Sequence, residues 1–145
     1  MGQFLSIEAS TYNHSKRHYS TYVGVDEVRE LVDRFGVNFR DKLGHWKKKL
    51  HKLHFQGKTI VVWGGGSKGV SFLNFLETRE KIDYVVDINP RKQGNYIAGT
   101  GQKYIMPEEL KGIEPDTVII MNPIYQDEVT HKLFEMGLSP EILLA

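Results

Sequence analysis

At 145 residues the chain has room for one domain and an appendage. Its composition, 40% hydrophobic and 26% charged, is that of an ordinary globular protein. A net charge of +1 excludes nucleic-acid binding carried by bulk charge, the lack of cysteine excludes disulfides and thiolate metal sites, and no run is apolar enough to cross a bilayer. The first 20 residues carry no basic-then-apolar leader pattern, and cysteine usage suits a reducing, cytoplasmic compartment. There is no internal repeat and no low-complexity tract.

Gln3 to Ala9 alternates like a short strand with no hairpin partner nearby. Ser10 to Thr21 is polar and tyrosine-rich and reads as a lead-in loop. From Asp26, a candidate N-cap, the pattern turns helical. Val28, Val32, Phe35, Phe39, Leu43, Trp46, Leu50 and Leu53 step by three and four and keep one stripe on one face. Gly36 and Gly44 weaken this segment, so it is one long helix or two in series, ended by Gln56-Gly57. The stripe needs cover: the sheet, a domain outside this chain, or a second copy.

The run from Lys58 to Leu73 is the most informative stretch. A β-branched strand, Thr59 to Trp63, ends in Gly64-Gly65-Gly66-Ser67-Lys68-Gly69, and an apolar helical pattern follows to about Thr78. Gly64, Gly66 and Gly69 fit the spacing of a strand-turn-helix nucleotide loop. Gly64 allows the sharp turn, Gly66 lets the backbone approach a bound group, and Gly69 lets the helix pack closely. The free amides of the helix's first turn form an anion site. No Gly-Lys-Ser/Thr closes the loop, so it is no Walker A motif. A scaffold that keeps the turn and binds nothing would show the same glycines.

Ile82 to Asp87 is a second strand and Ile88 to Gln102 a long loop. Lys103 to Met106 is a short third strand, and Pro107 opens a short helix at the favoured first position. Thr117 to Met121 is a buried fourth strand, Pro123 to Met136 a helix ended by Gly137, and Glu141 to Leu144 a last strand. This rhythm predicts an α/β fold: a Rossmann-like parallel sheet of about five strands, order 3-2-1-4-5, with helices on both faces and a long helix before it. The predicted parts are a lead-in over 1–25, connecting helix or helices over 26–56, and the Rossmann-like domain over 57–145. Ligands of such sheets bind beyond the strand C-termini, between strands one and four.

Asp87 ends the second strand 18 residues beyond Gly69, the place of an acid that grips a ribose hydroxyl; an Asx cap of the loop is the structural alternative. Asn89 follows directly. Asn122 and Tyr125 leave the fourth strand beside the first and would overhang the glycine loop, although Asn122 also suits a helix cap. His14 and His18, or His51 and His54, have metal-ligand spacing but no third ligand, so no metal is predicted. No nucleophile-base pair or paired acids stand out, so no catalytic residue is assigned.

Taken together, Gly57 to Gly69, Val86 to Gly94, Gly99-Thr100-Gly101, Pro115-Asp116 and Met121 to Tyr125 with Glu128 resemble the C-terminal domain of sugar C-methyltransferase-type proteins. The likeness runs from about Asp26 to the end. These are S-adenosylmethionine-dependent enzymes acting on nucleotide-linked deoxysugars. In them a zinc-binding segment and a methyltransferase domain precede a long helical connection and a Rossmann-like domain. The resemblance implies that Gln3 to Ala9 is the tail of the methyltransferase domain and that this chain is an excised domain or a stand-alone relative. It implies that Gly64, Gly65, Gly66, Ser67, Lys68, Gly69, Asp87, Asn89, Asn122 and Tyr125 face a nucleotide-linked sugar. The zinc cysteines and methyl-donor loop are absent, so this chain would bind no cofactor, and S-adenosylmethionine would belong to a methyltransferase domain acting in cis or in trans. Nucleic acid and membrane are not expected partners; a homodimer through the long helix stays open. An NAD(P)-dependent oxidoreductase domain and a scaffold or dimerisation module are the competing readings.

Overall fold

A computed structural model describes residues 24–145. The predicted strand at Gln3 to Ala9, the lead-in loop and the pair His14 and His18 lie outside them. The chain divides into two units, Met1–Phe35 and Gly36–Ala145. Of the first, the described part is the opening of α1, the helix Val25–Phe55. Its apolar residues Val28, Leu31 and Val32 are exposed.

α1 is one helix of 31 residues, not two. Each glycine in a helix interior costs about 1 kcal/mol relative to alanine. Burial of Trp46, Leu50 and Leu53 further along the same helix outweighs that. The helix also starts before Asp26, at Val25: Asp26 lies in its first turn, where its charge suits the dipole, and is not the cap.

The second unit holds a sheet whose five strands all run parallel. They are β1 Ile60–Trp63, β2 Tyr84–Val86, β3 Lys103–Ile105, β4 Thr117–Ile120 and β5 Glu141–Leu144, in the order β3-β2-β1-β4-β5. The predicted order is thus the observed one. β1 is central, with Val62 opposite Val85 on one side and Ile119 on the other. It is buried along its whole length, which explains its unbroken apolar run.

Alternate residues of the strands feed two cores. Ile60, Val62, Val85 and Ile119 meet Trp46, Leu50 and Leu53 of α1 and Leu73 and Leu76 of α2, the helix Ser67–Leu76. Val61, Trp63, Val86, Val118 and Ile120 meet Leu110 of α3 (Leu110–Ile113) and Val129 and Leu133 of α4 (Gln126–Glu135). Edge-to-face contact of Trp46 with Phe72, centroids 5.1 Å apart, ties α1 to α2. Two acids close the amino ends of the strands: Asp83 accepts from the Ile60 amide at 3.0 Å, and Asp116 from the Thr59 amide at 2.9 Å. Asp116, part of the Pro115-Asp116 motif, also pairs with Lys58 at 2.7 Å. That ammonium, then the Thr59 amide, hold its carboxyl below the ordinary carboxylate value. No helix among the described residues is long and apolar enough to cross a membrane.

Candidate functional site

The glycine loop leaves β1 as the sequence predicts. Gly64 has a φ of +107°, open to glycine and strained for any other residue. Its amide donates to the Val86 carbonyl at 2.8 Å, so the turn starts from the sheet ladder. A Cβ on Gly69 would collide with the Gly64 carbonyl oxygen, which is the close helix approach expected of the third glycine. Around Gly66, at the N-cap of α2, there is open space for a Cβ. The amides of Ser67, Lys68 and Gly69 begin the helix with no acceptor among the described residues.

Gly65 has a role that the motif did not announce. A Cβ there would strike the Tyr104 ring. The Gly65 carbonyl accepts from the Tyr104 hydroxyl at 2.8 Å and from Lys92 Nζ at 3.1 Å. Its amide donates to Asp87 Oδ2 at 3.0 Å. Both polar groups of this one buried residue are therefore tied to β3 and the loop that leads to it from β2.

Asp87 is the hub of that network. Oδ2 also accepts from Lys92 Nζ at 2.7 Å, and Oδ1 from the Asn89 amide at 3.0 Å. Burial acts to raise the Asp87 carboxyl; the Lys92 ammonium and the amides of Asn89 and Gly65 outweigh it and hold the pKa below its ordinary value. Burial also raises the Tyr104 phenol, with the Lys92 charge opposing. Lys92 sits 5.4 Å from the centre of the Tyr104 ring, within cation–π reach. Asn89 turns its side chain away to cap a short 3-10 turn, accepting from the Arg91 amide at 3.1 Å. Lys92 and Tyr104 were missed by the sequence reading.

A crevice of about 270 Å³ opens at the carboxyl ends of β1, β2 and β4. Trp63, Ile88, Ile120 and Val129 give it apolar walls, and Gly64, Asp87, Asn122, Tyr125 and Glu128 give it polar ones. It lies where the strand order reverses, the place such sheets offer a ligand. Four predicted site residues, Gly64, Asp87, Asn122 and Tyr125, thus share one hollow. Gly65, Gly66, Ser67, Lys68, Gly69 and Asn89 do not line it. Asn122 also caps a 3-10 turn over Pro123–Tyr125, although its bond to the Ile124 amide is long, 3.4 Å. The predicted helix from Pro123 is that turn followed by α4. Glu128, in the first turn of α4, has neither ion pair nor hydrogen bond among the described residues.

A larger hollow of about 560 Å³, walled by Arg79, Asp83, Tyr84 and Tyr96, lies at the amino ends of β2 and β3. It is open, and it is at the end of the sheet opposite to where ligands of such folds bind. Thr100 and Gln102 in its wall each carry a buried side-chain oxygen without a partner. His51 and His54 are exposed on α1, and no group of three or more potential metal ligands occurs among the described residues.

No curated protein matches the chain. Among solved structures, one titled as RSP, a Rex-family repressor, is similar at 17% identity and a TM-score of 0.47, over 81% of this chain and 73% of that one. Residues 19–138 match the family described as the C-methyltransferase C-terminal domain. That match includes α1 as well as the sheet up to the end of α4, and the chain belongs to the C-methyltransferase C-terminal domain family.

Proposed function

We propose that this chain is the substrate-holding domain of a C-methyltransferase, that it holds a nucleotide-linked sugar, and that it performs no chemistry by itself. The observation carrying the proposal is the crevice where Gly64, Asp87, Asn122 and Tyr125 converge at the carboxyl ends of β1, β2 and β4. Family membership supplies the methyltransferase context. Hydroxyl and amide groups of Tyr125 and Asn122 suit sugar recognition, and the apolar walls suit the C–H faces of a ring. The open amides of Ser67, Lys68 and Gly69 are free donors for a phosphate outside the crevice.

The crevice does not fit S-adenosylmethionine or a nicotinamide dinucleotide well. Both present a ribose to the acid after β2, and that acid, Asp87, has each oxygen engaged within the loop. On this reading the methyl donor belongs to a methyltransferase domain, in cis or in trans. Calorimetric titration of the chain with uridine diphosphate glucose, S-adenosylmethionine and NADH tests the reading. Heat with the nucleotide-sugar alone is expected. Binding of NADH without binding of the nucleotide-sugar would replace it with the oxidoreductase reading.

A further inference from the structure

Charge around the crevice is distributed unevenly. Its lining residues include two carboxylates, Asp87 and Glu128, and no lysine or arginine. Asp87 is balanced by Lys92 at 2.7 Å, and its oxygens already receive three donors. Glu128 is balanced by nothing among the described residues. The crevice therefore presents one uncompensated negative charge from α4, against the apolar faces of Trp63, Ile88 and Val129. An ionised carboxylate only accepts hydrogen bonds, and its two oxygens can take two hydroxyls. Toward phosphate it is repulsive.

From this, and resting on the nucleotide-sugar reading above, we infer that the crevice takes the uncharged, hydroxyl-bearing sugar end of the ligand and turns its phosphates outward, and that Glu128 is the specificity-determining residue that makes this choice. The phosphates then fall on the α2 side of the mouth, where Ser67, Lys68 and Gly69 present open amides and Lys68 is exposed. Glu128 is exposed on α4 and packs in no core, so its replacement leaves the sheet intact.

The test is titration of wild type, Glu128→Gln and Glu128→Lys with uridine diphosphate glucose and with uridine diphosphate, folding being checked by circular dichroism. Charge-assisted hydrogen bonds to two hydroxyls predict that Glu128→Gln weakens the sugar nucleotide roughly tenfold or more. Uridine diphosphate, lacking the sugar, keeps its affinity in the same variant. Glu128→Lys weakens the sugar nucleotide as well. If Glu128→Gln leaves the sugar nucleotide unchanged, or if Glu128→Lys tightens both ligands, Glu128 does not select the sugar end and the inference is overturned while the nucleotide-sugar function stands. If wild type binds uridine diphosphate as tightly as the sugar nucleotide, the sugar end is not recognised and the inference falls. Binding of neither ligand removes the proposed function and the inference with it.

Discussion

The Tyr104 hydroxyl donates to the Gly65 carbonyl at 2.8 Å, across β2, from the edge strand to the turn after the central one. That contact and the ring beneath it make Gly65, like Gly64 and Gly69, a glycine of the loop that cannot change freely. Gly65→Ala drives a methyl into the Tyr104 ring and is expected to cost about 1–3 kcal/mol, the range of core overpacking. Urea denaturation of the variant checks it. Tyr104→Phe keeps the ring but loses the hydroxyl bond, for a loss of about 1 kcal/mol.

Gly66 is expected to behave in the opposite way. Open space surrounds its missing Cβ, and its φ of −74° suits any residue. Gly66→Val should retain the fold, with an unchanged circular dichroism spectrum, and abolish nucleotide binding. Persistent binding in that variant would move the ligand away from the glycine loop.

Lys92→Met removes the cation shared by Asp87 and the Gly65 carbonyl. A carboxylate 12% exposed is left without its ion pair. The expected cost is about 1–3 kcal/mol at neutral pH, measured by denaturant titration.

Asp87 also sets an acid limb. Its folded carboxyl titrates below the ordinary value of 3.8, so its contribution is complete above that value and is lost as pH falls through the folded one. In Lys92→Met the main lowering interaction is gone while burial, which raises the carboxyl, remains. The variant should therefore be less stable than wild type at neutral pH, and the gap should narrow as pH falls through the folded Asp87 value, because only wild type has this contribution to lose. Thermal melts between pH 7 and the acid limb read this directly, and a gap that stays the same at every pH would show that Lys92 does not stabilise the ionised form.

The two halves of α1 are expected to respond differently. Leu50 is fully buried, and Leu50→Ala should cost about 2–5 kcal/mol. Val32 is exposed, and Val32→Ser should change stability by no more than about 0.5 kcal/mol. Thermal denaturation of the two variants side by side makes the comparison.

Most of the fold could be read from local pattern. Val61-Val62-Trp63 and Val118-Ile119-Ile120 are apolar on both sides because both faces of their strands are covered, and that is visible in the residues themselves. Gly64 and Gly69 were legible because a turn and a close helix leave a spacing in sequence. Gly65 was not, because its neighbours Lys92 and Tyr104 are brought to it by β2 and β3 from far along the chain. Asp87 shows a second limit. An acid that reaches a ribose and an acid that fastens the loop occupy the same position after the same strand, and only the geometry separates them. The crevice wall was half legible: Asn122 and Tyr125 follow a strand end, whereas Glu128 enters by the rise of a helical turn.

Since Asp87, Lys92 and Tyr104 hold the turn from below, its shape is already set before any guest arrives. A ligand seated there would not have to order the loop, which removes that one part of the entropy cost of association.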